Sequence, residues 1–127
     1  MYKYLSLKEA LEVHRLTVEY SGGGLSGVLD ASRLDSVLTS IQNDDYYPEL
    51  VDKLTHLLFC AAKFHCFEDC NKRVALTLCV KFLVENDYIK IAKKFMRANE
   101  DVVYKVASGE IEKEELRERL SNFLKNN

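Results

Sequence analysis

The spacing of hydrophobic residues predicts a chain made almost entirely of helices. In the first half of the chain, apolar side chains recur every three or four positions, which is the repeat of a helix with one buried face. The predicted helices cover about residues 6–20, 30–42 and 49–64. Local signals support two of these starts, because Ser6 and Glu9 have the spacing of a capping box and Asp30 is a good N-cap residue.

Residues 74–84 follow a different pattern, because they are too apolar around the circumference of a helix for a surface helix. The run is too short to span a bilayer, so it predicts a buried central helix that the other helices surround. Further on, residues 88–91 suit a brief extended segment, Asn99 suits the N-cap of a helix ending near Gly109, and residues 111–125 form a last amphipathic helix. The predicted fold is an all-α bundle of about six helices, forming one domain over residues 1–127.

Composition narrows the class of protein. Of the 127 residues, 47% are hydrophobic and 30% are charged, which is typical of a soluble globular chain. The net charge of −2 argues against a dedicated nucleic-acid binder. Charged residues interrupt the N-terminal apolar stretch, so no signal peptide is predicted. We therefore expect a cytoplasmic protein without membrane or direct nucleic-acid contacts, whose four cysteines are reduced.

Polar chemistry is densest just before the central helix, in residues 65–73, which read HCFEDCNKR. Lys72 and Arg73 fall in the predicted first turn, where the helix dipole makes each cation unfavourable by roughly 0.3–1 kcal/mol. A phosphate would satisfy the unpaired amides of that turn, the dipole and both side chains together. We therefore predict a phosphate-binding turn made by Cys70, Asn71, Lys72 and Arg73.

Other side chains in and beside this segment complete the parts of a transfer site. Asp69 can hold Mg²⁺, since Mg²⁺ takes one or two carboxylates together with substrate phosphates. His65 can accept a proton from a hydroxyl that attacks a bound phosphate. Lys63, at the end of the third predicted helix, is predicted to be a further anion contact. A proton acceptor, a metal ligand and an anion cradle together indicate phosphoryl or nucleotidyl transfer.

Each of these residues also has a structural explanation. Asp69 or Asn71 can serve as an N-cap, His65 can be a hydrogen-bonded structural histidine, and the two cations can belong to a solvated face. His14, on the apolar face of the first helix, is interpreted as a structural histidine in the same way. The joint occurrence of the loop residues favours the transfer hypothesis over these separate explanations.

The cysteines and a tyrosine pair suggest three further hypotheses. Cysteine and histidine crowd together between residues 56 and 70, which can signal zinc, although no C-x₂-C pair is present. Cys70 could act as a nucleophile at the helix start. Tyr46 and Tyr47 could stack on a nucleotide base, although loop tyrosines more often cover the edge of a core.

Residues 65–73 resemble the signature of the Fic/Doc family, usually written H-P-F-x-[D/E]-G-N-G-R in Fic proteins. In this chain Cys66 replaces the proline, Cys70 replaces the first glycine and Lys72 replaces the second. Asn-Lys-Arg followed by a small apolar run is more similar to the Doc branch, the death-on-curing toxins. The glycine-rich residues 22–27 and Asp30 also resemble Doc.

The resemblance implies a Fic-type helical fold and a transfer from ATP, with Mg²⁺, to a protein hydroxyl. By its motif, His65 maps to the general base, Asp69 to the Mg²⁺ ligand, and residues 71–73 to the phosphate-binding turn. Members with glycine at the Lys72 position typically transfer AMP. The Doc branch has lysine there and is understood to phosphorylate a threonine of elongation factor Tu, which blocks translation. Leu76 stands where many Fic enzymes carry a further arginine, and this again favours Doc.

The same resemblance implies protein partners. In Fic-type proteins a flap before the second helix positions the target chain, so Gly23, Gly24 and Leu25 are predicted to contact the target. A Doc-like toxin is expected to be neutralised by a cognate antitoxin, because the chain has no good match to the inhibitory motif of some Fic proteins. The sequence also leaves open a Fic-type adenylyltransferase and a catalytically inactive binding module.

Overall fold

The computed structural model describes residues 1–22 and 24–127, and its regular structure is helical. Within those ranges the helices are α1 (Leu7–Tyr20), α2 (Ala31–Ser40), α3 (Leu50–Lys63), α4 (Asn71–Glu85), α5 (Ile89–Ser108) and α6 (Lys113–Lys125). The described residues contain no strand beyond an isolated antiparallel bridge between Val28 and Phe67. None of these helices combines the length and hydropathy needed to cross a membrane. The predicted all-α bundle is confirmed.

Helix α4 is the buried centre of the bundle, as predicted. Its side chains Val74, Leu78 and Phe82 are each at most 1% exposed. The helix packs against α1, α3 and α5, and buried hydrophobic side chains from all six helices join in one core cluster. Burial of each large apolar side chain contributes about 1.5–3 kcal/mol, so the core fixes α4 and the loop before it.

The starts of α1 and α2 form through the local interactions that the sequence predicts. The Ser6 hydroxyl accepts a hydrogen bond from the Glu9 amide at 3.1 Å, and the Glu9 carboxylate accepts one from the Ser6 amide at 3.1 Å. The Asp30 carboxylate accepts from the Arg33 amide at 2.9 Å. The Asp30 cap also fixes the end of the glycine-rich connection between α1 and α2.

Helix α5 differs from the prediction. The expected extended segment at residues 88–91 and the expected cap at Asn99 are wrong, because Ile89–Ser108 is one continuous helix. Asn99 is 3% exposed, and its side-chain amide donates to the Phe95 carbonyl one turn earlier at 3.0 Å. Packing of Phe95 and Val103 against the core stabilises the helix by more than the preference of residues 88–91 for an extended conformation opposes it. The helix ends at Gly109 with φ of 86°, as predicted.

Candidate active site

The loop of residues 64–70 joins α3 to α4 and contains two residues in the left-handed region. His65 has φ of 47° and Cys70 has φ of 66°. Residues with a Cβ atom adopt this conformation at a free-energy cost of about 1–2 kcal/mol. Cys70 is the N-cap residue of α4, and its side chain makes no capping hydrogen bond. The hypotheses in which Asp69 or Asn71 caps α4 are therefore wrong.

Asn71, the first residue of α4, closes the loop instead of capping the helix. Its side-chain nitrogen donates to the Phe67 carbonyl at 2.9 Å, and its side-chain oxygen accepts from the Phe67 amide at 3.2 Å. The Asp69 carboxylate likewise accepts from the neighbouring Cys70 amide at 2.9 Å. These polar side chains hold the loop, so the first-turn amides of α4 are left without a side-chain cap.

A cavity of about 370 Å³ lies against the start of α4. Its walls are formed by Ser21, Asp69, Cys70, Asn71, Lys72, Arg73 and Tyr104. Among the residues that the structure describes, Asp69, Lys72 and Arg73 form no ion pair. Two unpaired cations at an uncapped helix N-terminus make this cavity suited to an anion.

Two predicted residues lie outside the walls of this cavity. His65 is exposed at the upstream end of the loop. The Lys63 ammonium lies 5.4 Å from the centre of the Phe59 ring and next to Gly109 at the end of α5. The structure thus brings Asp69–Arg73 together and leaves Lys63 beside a different turn.

The glycine-rich connection between α1 and α2, which we call the flap (residues 22–30), pairs with the loop. The amides of Leu29 and Asp30 donate to the Cys66 carbonyl at 2.8 and 3.1 Å, and the Glu68 amide donates to the Gly27 carbonyl at 3.0 Å. This pairing fixes the described part of the flap against the loop that precedes α4.

The predicted target contacts lie in the first half of the flap. Gly24 lies close to Asp69, because a Cβ atom there would be 2.9 Å from Asp69 Oδ2. Gly24 and Leu25 are exposed, and Gly23 lies outside the described residues. The described flap residues therefore border the candidate metal ligand and remain accessible to a second protein.

His14 lies directly beneath the loop, a position that the sequence does not predict. It is 2% exposed, and its ring stacks on Phe67 with 3.8 Å between centroids and an angle of 7°. Burial lowers the pKa of His14, and the nearby Asp69 backbone and carboxylate oppose this effect. Its Nε2 atom is buried without a hydrogen-bond partner in the described part of the chain. No sequence spacing links residues 14 and 67, so only the fold reveals this contact.

Comparison with known proteins agrees with this geometry. Residues 4–83 match the Fic/DOC family, a range that includes α1, the flap, the loop and most of α4. The chain is also 31% identical over 88 residues to the Protein kinase doc of Escherichia phage P1, and this match covers 66% of the chain and 68% of the relative. The chain belongs to the Fic/Doc family.

Three of the residues in which this chain differs from the Fic/Doc pattern lie in α4 or at its N-cap, and the structure shows the position of each. Cys70 replaces a glycine, and it occupies the left-handed conformation that glycine adopts without strain. Lys72 replaces a second glycine and places a side chain in the wall of the cavity. Leu76, where many Fic enzymes have a further arginine, is 4% exposed in the core. The cations of this cavity are therefore Lys72 and Arg73.

Asp69 suits the Mg²⁺ that the Fic/Doc family implies. Residues 1–22 and 24–127 contain no group of three or more His, Cys, Asp or Glu side chains that could hold a metal. Mg²⁺ in nucleotide enzymes needs only one or two carboxylates, since substrate phosphates complete its coordination. A single carboxylate in the wall of an anion cavity, with a glycine beside its Oδ2 atom, fits that requirement.

Of the crowded cysteines and histidines, Cys60 and His56 pack together beside Lys113, whereas His65 is exposed and Cys70 lines the loop cavity. Cys60 Sγ lies 3.6 Å from His56 Nδ1, and the Lys113 ammonium donates to the same nitrogen at 2.8 Å. Burial and the Lys113 charge lower the pKa of His56 to about 4. Burial also raises the pKa of the Cys66 thiol. Tyr47 packs on the His56 ring with 4.5 Å between centroids, so it covers a core edge at the other end of α3 from the loop.

Proposed function

We propose that this chain is a Doc-type toxin that transfers the γ-phosphate of ATP to a Ser or Thr hydroxyl of a translation factor, with elongation factor Tu as the first candidate. The observation that carries the proposal is the pair of cations, Lys72 and Arg73, which lie in one cavity with Asp69 and form no ion pair with any residue that the structure describes. The relative of phage P1 is named a protein kinase, which supports phosphate transfer over AMP transfer. Lysine at position 72 and the absence of a cation at Leu76 support the same choice.

In the proposed reaction, Lys72, Arg73 and the first-turn amides of α4 bind the phosphate chain. The target hydroxyl oxygen attacks the γ-phosphorus while the bond to the β,γ-bridging oxygen breaks, so that ADP leaves. The hydroxyl proton passes to the imidazole of His65, whose exposure gives a protein substrate access to it. Asp69 would hold Mg²⁺, which neutralises phosphate charge when it is bound. Asn71 keeps the loop closed through the Phe67 backbone.

The flap supplies the proposed contact with the target. Leu25, Val28 and Leu29 are 60%, 46% and 63% exposed, so an apolar surface adjoins the loop. Gly23 and Gly24 are included in this proposal on the basis of the family pattern alone. An extended target segment that packs on these side chains would bring its hydroxyl to the exposed end of the loop, where His65 lies.

We further propose that a cognate antitoxin covers an apolar groove beside the site. The groove has a volume of about 510 Å³ and lies between α1, α4 and α5, with walls that include Leu16, Tyr20, Thr77 and Met96. Arg73 lines both this groove and the loop cavity, so an occupant here would lie next to the phosphate-binding cations. Expression of the chain alone should arrest growth, whereas normal growth with abundant folded protein would contradict the toxin proposal.

The decisive experiment uses ATP labelled at either the α- or the γ-phosphate. Purified chain and elongation factor Tu are incubated with each label, beside His65→Asn, which keeps a residue type that tolerates the left-handed region. Exposed Lys93→Ala on α5 is the control. Label arriving from the γ-position alone, and lost in His65→Asn, is the expected result. Label from the α-position would mean adenylyl transfer, and no label on any protein of a whole lysate would indicate a binding module.

A further inference from the structure

His14 lies at the centre of the buried face of α1. The buried residues of this helix recur with the helical period; they are Ala10, Val13, His14, Thr17 and Val18. The helix packs against α2 and α4, so its position relative to the first turn of α4 is fixed. His14 is 2% exposed. A core position of this kind is usually apolar, so the imidazole there needs a reason beyond packing.

The imidazole is incompletely satisfied by hydrogen bonds. Its Nε2 atom is buried without a partner among residues 1–22 and 24–127. The other buried polar side chains each donate to a backbone carbonyl; they are Thr17, Lys53, Thr55 and Asn99. A buried nitrogen without a partner lowers stability, and a phenyl ring of similar shape would avoid that cost. A side chain that is unfavourable for stability in this way is typical of a functional site.

The His14 ring contacts the loop at two points. It stacks on Phe67, with 3.8 Å between ring centroids and an angle of 7° between the rings. Phe67 is itself 3% exposed, and the Asn71 side chain binds its backbone. The second contact is with Asp69, because burial lowers the pKa of His14 whereas the Asp69 backbone and carboxylate raise it. Since Nε2 has no partner, the contact with Asp69 is assigned to Nδ1.

Few other groups restrain the Asp69 side chain. Its carboxylate accepts from the Cys70 amide at 2.9 Å and forms no ion pair within the described ranges. A Cβ atom on Gly24 would lie 2.9 Å from Asp69 Oδ2 and 3.9 Å from Val18 Cγ1, and Val18 follows His14 by one turn of α1. The inner face of α1 therefore supports Asp69 both directly and through the flap.

We propose that His14 is a positioning residue for the transfer reaction. Its ring, anchored in α1, holds Phe67 and Asp69 in the arrangement that places the Asp69 carboxylate in the wall of the loop cavity, where it would hold Mg²⁺. The inference rests on the proposed function, which places Mg²⁺ and the phosphates of ATP in that cavity. Replacing a residue that supports a metal ligand typically lowers metal affinity by about 10–100-fold.

Three variants separate positioning from packing. His14→Phe keeps an aromatic ring for Phe67 and removes both nitrogens. His14→Asn keeps a side-chain nitrogen near the position of Nδ1 and removes the ring. Thr55→Val is the matched control, because Thr55 is a buried polar residue on α3 whose hydroxyl donates to the Val51 carbonyl, outside the loop cavity.

Each purified chain is titrated with β,γ-imido-ATP, a non-hydrolysable analogue of ATP, with and without Mn²⁺. The Mn²⁺ ion replaces Mg²⁺ as a paramagnetic probe, so its binding to the complex is measured by electron paramagnetic resonance. Urea unfolding of the same proteins measures stability, and transfer assays at several Mg²⁺ concentrations measure the reaction.

His14→Phe should weaken Mn²⁺ binding at least about tenfold and leave binding of the metal-free analogue unchanged. It should unfold at the same urea concentration as the wild type or a higher one, because the nitrogen without a partner is gone. His14→Asn should retain more metal affinity than His14→Phe, although it unfolds at a lower urea concentration. Thr55→Val should lose stability and keep its metal affinity. In transfer assays His14→Phe should need more Mg²⁺ for the half-maximal rate, and saturating Mg²⁺ should restore most of kcat.

Three results would overturn the positioning role and leave the proposed function standing. Wild-type Mn²⁺ affinity in His14→Phe would mean that the ring only packs. Loss of metal affinity in proportion to loss of stability in all three variants would mean a general loosening of the fold. Equal weakening of the analogue with and without metal by His14→Phe would place the effect on the phosphate-binding turn instead of Asp69. Failure of the wild type to bind the analogue with Mn²⁺ would contradict the proposed function itself, and the positioning role with it.

Discussion

Two regions of this chain contain the same kinds of side chain but use them differently. The loop before α4 and the first turn of that helix have a histidine, cations and cysteines, and the seam between α3 and α6 has a histidine, cations and one cysteine. In the seam the Lys113 ammonium donates to His56 at 2.8 Å, and Arg117 pairs with Asp52 at 2.7 Å. The polar groups of the seam therefore satisfy one another.

The loop leaves its charges available. Lys72 contacts an aromatic ring rather than a carboxylate, and no ion pair of Asp69 or Arg73 occurs in the described ranges. Its hydrogen bonds, such as those between Asn71 and Phe67, hold the backbone instead. The contrast shows that residue type alone does not distinguish the candidate active site from a structural cluster in this protein. The distinguishing property is charge without an internal partner.

The largest expected effect comes from exchanging one histidine in each region. His65→Asn should lower kcat at least about 100-fold, because a general base is lost, and should change the free energy of unfolding by less than about 0.5 kcal/mol. His56→Gln should keep transfer within about twofold and lower stability. Transfer assays and urea unfolding of both variants measure this. Similar losses of activity in the two variants would erase the distinction between the regions.

The seam between α3 and α6 should make the free energy of unfolding depend on pH in acid. This effect should be intermediate in size among the three predictions. His56 has a pKa of about 4 in the folded state against an ordinary 6.5, so the unfolded chain binds the extra proton between these values. Its stabilisation is complete above pH 6.5 and is lost as the pH falls towards 4, by about 2–3 kcal/mol. Urea unfolding at pH 7.5 and 4.5 should show a smaller loss for His56→Gln, which retains an acceptor for Lys113. The same loss in both proteins would show that another group carries the effect.

The smallest expected effect concerns strain in the loop. Cys70→Gly should raise the free energy of unfolding by about 0.5–1 kcal/mol, because glycine adopts φ of 66° without the penalty that cysteine carries. Cys70→Ser keeps the strain and should show no gain, and both variants should keep transfer activity, as measured by urea unfolding and by the labelled-ATP assay. Loss of transfer in both would support a nucleophilic Cys70, and equal stabilities would remove the strain argument.

The sequence predicted what local chemistry decides. The caps of α1 and α2, the mainly apolar run of α4 and the loop-cavity residues Asp69–Arg73 are each encoded within a few residues of one another. The sequence failed where a contact joins distant positions. Tyr104 meets Lys72 only because α5 packs beside α4, and His14 meets Phe67 only because α1 passes beneath the loop.

Asn99 shows the opposite effect, because tertiary packing overrides the local preference of asparagine for an N-cap position. Asparagine is a good N-cap, yet this one bonds back to Phe95 within a helix that tertiary packing holds continuous. The predicted anion contact of Lys63 depends on side-chain direction, and its ammonium lies beside Gly109 instead of in the loop cavity. Burial partners and side-chain directions are set by the assembled bundle.

The central claim, that the unpaired charges of the loop direct the γ-phosphate of ATP to a protein hydroxyl, is tested most directly by the intact mass of the target. Elongation factor Tu would be incubated with Mg²⁺-ATP and either the wild-type chain or His65→Asn. Its intact mass would then be measured by mass spectrometry. A gain of one phosphoryl group with the wild type and no gain with the variant is the predicted result. A gain of one adenylyl group would contradict the account.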